Sequence, residues 1–211
     1  MKICLLPGDG IGVEIVDAAV EVLDAAAKKF GFEIEYDKQL IGGCAIDATG
    51  VPLPEATIAS AKAADAVLLG AVGGPKWDNV DPSIRPEKGL LGIRKALGLY
   101  CNLRPMTVSK FTAHLSPLKT ERAEGADLLI VRELTGGIYF GEHNEAHLNA
   151  DGIEEASDVE LYTRPEIERI ARFAFEAAKK RRGKVTSVDK ANVLGSSRMW
   201  RKIVAEMQAK D

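Results

Sequence analysis

The chain has 211 residues, of which 46% are hydrophobic and 28% charged, and a net charge of −3. These are ordinary values for a soluble globular protein, with a core large enough to fold without covalent staples. The weak negative balance excludes bulk attraction to nucleic acid, and no apolar run approaches a membrane span. Three cysteines, Cys4, Cys44 and Cys101, match no zinc spacing and read as reduced thiols of a cytoplasmic protein.

Ile3 to Leu6 reads as a short buried strand. Pro7-Gly8 ends its apolar run too early for a secretory signal. Val13 to Phe30 has helical periodicity with Gly31 as its stop, so the chain opens with a strand, a glycine-rich loop and a helix. Phe32 to Tyr36 alternates like a strand, Pro54 to Ala64 reads as a helix, and Ala66 to Gly70 as a second buried strand. Strands and helices alternate, which predicts an α/β fold with a largely parallel sheet. The run from Gly73 to Pro86 is a long loop of glycine, proline and polar residues, and long ordered loops in compact domains are usually functional.

Glu87 to Arg94 follows directly. As a helix it places Glu87, Leu90, Leu91 and Arg94 on one face, combining an acid, two branched alkyl chains and a guanidinium. That face reads in two ways: as a stripe whose leucines enter the core, or as a surface for a small carboxylate with an alkyl branch. Leu128 to Leu134 reads as a further buried strand, and the polar stretch from Glu142 to Ser157 as a projecting arm or irregular hairpin. Pro165 marks a helix start, and the basic run from Lys179 to Arg182 suits a solvated helix end better than a nucleic-acid patch, because no aromatic residues accompany it. Val185 to Val188 reads as a strand and Ser197 to Lys210 as the last helix.

Gly8-Asp9-Gly10-Ile11-Gly12 fails the dinucleotide fingerprint, which requires a third glycine where this chain has Val13. Arg94, Arg104 and Arg132 each adjoin a hydrophobic element, as a bidentate carboxylate fork would. An arginine at the end of a buried strand needs an anionic partner, and for Arg132 the neighbouring Glu133 is the structural alternative to a ligand. Tyr139 follows two glycines and Lys190 follows a strand end, so either is a candidate proton donor or acceptor.

Taken together, Gly8 to Gly12, Gly73 to Pro75, Leu90-Leu91 with Arg94, Asn102 to Pro105, Val131 to Gly141 and Val188 to Leu194 resemble the isocitrate/isopropylmalate dehydrogenase family, the β-decarboxylating dehydrogenases, over nearly the whole chain. The resemblance implies a first α/β domain over residues 1–99 and a partial second domain over residues 100–211 that carries an arm, dimerises and binds substrate. It implies NAD and Mg²⁺ or Mn²⁺ as cofactors, a dicarboxylate substrate and a homodimer with a shared active site. Arg94, Arg104 and Arg132 would hold the carboxylates, and Leu90-Leu91 would pack on an isopropyl branch, which marks the isopropylmalate branch of the family. Ile11, Gly74, Pro75, Lys76, Asp78 and Glu87 would meet NAD. Lys190 would act from the partner subunit as base through water, and Tyr139 as the acid that protonates the enol.

The family's metal-ligating aspartates and adenosine-binding segment have no counterpart in these 211 residues, so no metal ligand is assigned and no turnover is expected of the chain alone. Val13 stands where the family usually has proline, and the Glu142 to Asp151 segment departs from the family pattern. The alternatives are a non-catalytic relative that binds dicarboxylates or dimerises, and a homoisocitrate or tartrate dehydrogenase. An incomplete first domain would also expose a sheet edge and apolar surface, which predicts association or aggregation.

Overall fold

The computed structural model describes residues 1–210. They form two compact units, Met1–Gly98 and the residues from Leu99 onward.

In the first unit, β1 (Lys2–Gly8) leads into α1 (Ile11–Phe30), followed by β2 (Glu35–Lys38), α2 (Gly43–Thr49), α3 (Glu55–Ala63), β3 (Ala66–Ala71) and α4 (Pro86–Ala96). The sheet order is β2-β1-β3 with all pairing parallel, Leu5 standing opposite Lys38 on one side and Leu68 on the other. Alternation along β1 builds two cores. Ile3 and Leu5 pack with Val16 of α1, while Cys4 and Leu6 point the other way to Ile41, Ala61 and Ile93. This near-continuous apolar strand is what a parallel sheet covered on both faces requires. The sharp turn after β1 depends on Gly8, at φ +70°, where a Cβ would collide with the Ala71 carbonyl.

The second strand starts three residues later than the alternation from Phe32 predicts. The Gly31 and Phe32 amides both donate to the Ala27 carbonyl, so Phe32 belongs to the helix ending, and pairing begins at Glu35. The short helix α2 has no periodic signal in its glycine-flanked sequence.

The second unit contains β4 (Cys101–Thr107), α5 (Thr120–Ala123), β5 (Asp127–Glu133), β6 (His143–Leu148), β7 (Glu154–Asp158), α6 (Arg164–Lys179) and α7 (Gly195–Gln208). Among the described residues parallel pairing is confined to the first unit: β4 pairs antiparallel with β5, and β6 with β7. The β6–β7 ribbon is the polar stretch read as an arm or hairpin, with a register irregularity between Asn144 and His147 and every residue exposed. Helix α6 opens on Thr163, whose amide donates to the Glu166 carboxylate at 2.7 Å. Its Ile167 and Ala171 pack on Ile203 and Met207 of α7.

Three expectations for this unit are corrected. Strand β5 is not buried throughout: it has one neighbour, β4, and Leu128 and Ile130 are about half exposed. Val185 to Val188 forms no strand, because no strand pairs with it among the described residues, and Val188 is 85% exposed. The basic run at the end of α6 is not simply solvated. Arg181 and Arg182 both bind Asp127 at the start of β5, at 2.6 and 3.0 Å, and hold that carboxyl below its usual range.

Candidate functional site

In the first unit the ambiguity of the Glu87–Arg94 helix is resolved by which side of α4 enters the core. Ile93, 3% exposed, makes the core contact together with buried Pro86 and Gly89, and a Cβ at Gly89 would press on the Pro52 carbonyl. Close approach at Gly89 sets the helix rotation, so Leu90, Leu91 and Arg94 lie half-buried on the flank and Glu87 is exposed. The leucine pair is not the core stripe.

The loop preceding α4 is tied down at two points. Asp9, 3% exposed, accepts the backbone amides of Gly43, Cys44 and Gly73, each at 2.7 Å. Asp47 accepts from Lys76 Nζ at 2.5 Å and from the Trp77 indole at 3.2 Å, and the Lys76 contact is the main cause of its lowered pKa. Gly74, Asp78 and Glu87 line one cleft of about 120 Å³, with Gly73, Trp77 and Arg85. Pro75 opens a short 3-10 turn and Lys76 is engaged by Asp47, so neither lines that cleft. Ile11 is exposed in the first turn of α1. Asp9 is the residue that sequence reasoning missed; its one signal is an acid between two glycines directly after a buried strand.

In the second unit the β4–β5 register places Asn102 opposite Arg132 and Arg104 opposite Ile130, so Asn102, Arg104 and Arg132 share a face. Arg104 Nε donates to Asn102 Oδ1 at 2.8 Å. Glu133 is not the partner of Arg132. The two project to opposite faces of β5, and the Arg132 guanidinium instead lies 5.3 Å from the centre of the Tyr139 ring. Tyr139, 57% exposed, and Arg132 both line a groove of about 850 Å³ along β5 and α6.

Lys190 is not among the residues of that groove; it is exposed on a separate turn. Its amide donates to Ser197 Oγ at 3.0 Å, and its carbonyl accepts from Val193 and Leu194. The adjacent Asp189 takes a two-pronged contact from Arg201, at 3.0 and 2.8 Å, which draws its carboxyl below the usual range.

Among the described residues no group of three or more His, Cys, Asp or Glu side chains could hold a metal ion. The cysteines are free, and burial pushes all three thiols up, which disfavours the thiolate.

Arg104 and Arg132 thus share a face of the second unit, and in the first unit the half-buried leucine pair stands beside Arg94. The family model described as isocitrate/isopropylmalate dehydrogenase matches residues 2–211, and the chain belongs to that family. It is 59% identical over 206 residues to the 3-isopropylmalate dehydrogenase of Bacillus licheniformis, and 54% identical over the same length to that of Bacillus subtilis. Each alignment covers 98% of this chain and 56% of the relative, so the chain spans little more than half the length of the curated relatives it matches. Among solved structures, the isocitrate dehydrogenase of Methylococcus capsulatus superposes with a TM-score of 0.79 at 34% identity, covering 99% of this chain and 57% of that one. A β-decarboxylating dehydrogenase of Thermococcus kodakarensis gives 0.70 at 36% identity, covering 99% and 55%.

Proposed function

We propose that the chain carries the substrate-recognising residues of a 3-isopropylmalate dehydrogenase, the enzyme that oxidatively decarboxylates 3-isopropylmalate to 4-methyl-2-oxopentanoate with NAD in leucine biosynthesis. The observation that carries this reading is the flank of α4, where Leu90 and Leu91 stand half-buried beside Arg94 instead of entering the core. A leucine pair there suits an isopropyl branch and would leave the third carboxylate of an isocitrate unpaired in apolar surroundings.

In this reading Arg94, Arg104 and Arg132 hold the two carboxylates of the malate skeleton by forked, charge-assisted hydrogen bonds. Gly74, Asp78 and Glu87 would line the cleft against the nicotinamide end of NAD, the glycine leaving room for close approach, with Ile11, Pro75 and Lys76 around it. NAD supplies a hydride acceptor. Lys190 takes the hydroxyl proton through water as C2 is oxidised, the β-carboxylate leaves as carbon dioxide, and Tyr139 protonates the enol carbon. Lys190 serves this role from a partner subunit in a homodimer. The described residues do not fit a divalent metal, and no step is routed through one. The setting proposed is the cytoplasm.

A second reading is a relative that binds dicarboxylates without turning them over. Calorimetry with 3-isopropylmalate and with isocitrate, paired with an NADH assay in Mg²⁺, tests both. Preference for 3-isopropylmalate without NADH production is the expected result for the isolated chain. Preference for isocitrate contradicts the substrate assignment, and steady NADH production contradicts the non-catalytic reading.

A further inference from the structure

Strand β5 ends in an acid that the proposed reaction does not use. The Glu133 side chain is 2% exposed and accepts four hydrogen bonds: from the Thr135 amide at 2.9 Å, the Thr135 hydroxyl at 3.1 Å, the Gly136 amide at 2.7 Å and Arg169 Nη2 at 2.7 Å. Arg169 reaches in from α6, also donates to Thr135 Oγ1 at 2.5 Å, and lays its guanidinium 4.7 Å from the centre of the Tyr100 ring. The hydrogen bonds to Glu133 and Thr135 lie at the start of the turn that leads to Tyr139.

We infer that Glu133 and Arg169 are positioning residues that set the relative placement of Arg132 and Tyr139, and so the affinity of this face for a dicarboxylate. The inference rests on the reading that Arg132 and Tyr139 meet the substrate. Two geometric facts support it. Drawing Glu133 inward sends its neighbour Arg132 to the opposite face of the pleated strand, where the guanidinium meets the Tyr139 ring. Past the two captured amides, the chain turns through Gly137 at φ +75°, whose amide donates to the Leu161 carbonyl at 2.8 Å and where a Cβ would strike the Tyr162 hydroxyl. Phe140 and Gly141 then donate back to the Gly137 carbonyl. The phenol is therefore hung from a turn fixed at both ends, and Glu133 is the fixed point on the strand side.

A role in bulk stability alone does not account for the arrangement. A buried ion pair can often be replaced by apolar residues of similar volume at little cost. Here the pair also leaves Arg169 Nε buried without a hydrogen-bond partner. What a fully desolvated carboxylate with four donors does supply is one defined backbone geometry, and small displacements of positioning groups cost affinity and rate steeply.

The test compares Glu133→Gln, Arg169→Lys and Arg169→Met in the full 211-residue chain. It reads amide hydrogen exchange at Thr135, Gly136 and Tyr139, exchange in the α7 core, and calorimetric affinity for 3-isopropylmalate. In Glu133→Gln and Arg169→Met, exchange in the turn rises and affinity falls, each by about tenfold or more, while α7 exchange is unchanged. Arg169→Lys, which keeps a donor and the charge, recovers most of both. Wild-type turn exchange and affinity in a folded Glu133→Gln overturn the inference. If Glu133→Gln does not fold, the Arg169 pair decides: equal affinity and turn exchange in the two variants overturn it. If the unmodified chain does not bind 3-isopropylmalate, the substrate reading fails by itself, and turn exchange still decides whether Glu133 and Arg169 hold Tyr139 in place.

Discussion

The Asp9 carboxylate lies 2.7 Å from the Gly73 amide nitrogen and takes the Gly43 and Cys44 amides at the same distance. One buried acid thus ties the β1–α1 turn to the start of α2 and to the loop that borders the Gly74–Asp78–Glu87 cleft. All three of these amides donate to it, so the three segments depend on an acceptor at position 9.

Replacing Asp9 by Asn turns an acceptor toward a donor in the middle of that cluster and strands at least one buried amide. We expect a loss of about 1–3 kcal/mol in urea unfolding, with faster hydrogen exchange at Gly43, Cys44 and Gly73. An unchanged unfolding midpoint would show that the loop is held by other contacts.

Leu6 and Leu91 distinguish the core from the proposed site. Leu6 is fully buried between Cys4, Ile41 and Ile93, so Leu6→Ala should cost about 2–5 kcal/mol of stability. Leu91→Ala should cost less and instead lower affinity for 3-isopropylmalate about tenfold while leaving affinity for unbranched malate unchanged. Equal stability losses, or equal loss of both ligands, would return the leucine pair to the core.

The Asp47 contact to Lys76 is sensitive to acid. The carboxyl is held below its ordinary value of 3.8, foremost by Lys76. A depressed folded pKa means that the contribution of this contact is fully present above the unfolded value and is lost as pH falls below 3.8 through the folded value. Trp77 fluorescence, read in a Trp200→Phe background from about pH 5 down to about pH 2, should shift over that acid range, and Asp47→Ala should abolish the shift. A transition near neutrality, or one that persists in Asp47→Ala, would contradict the assignment. Both side chains are substantially exposed, so added salt should weaken the contact.

Much of the fold is legible where pattern and period are local. The end of α1 follows from Gly31, although the helix begins at Ile11, two residues before the periodicity from Val13 suggests, and α4 follows from Pro86 and its helical spacing. The features that decide the site are not local. The rotation of α4 is fixed by a missing side chain at Gly89 against distant Pro52, so a more hydrophobic leucine pair gives the wrong core face. Glu133 finds Arg169 on another element and not its neighbour, because adjacent residues of a strand face apart. Val185 to Val188 has strand composition, yet a strand exists only where a partner takes its hydrogen bonds, and among the described residues none does.

Arg132 is proposed as a carboxylate fork of a dicarboxylate site. Titration of 3-isopropylmalate into the 211-residue chain and into Arg132→Ala tests it most directly. Saturable binding is expected, weakened at least about tenfold in the variant, with the thermal midpoint nearly unchanged because Arg132 forms no ion pair among the described residues. Absence of binding in the unmodified chain, or equal affinity in the two proteins, would contradict it.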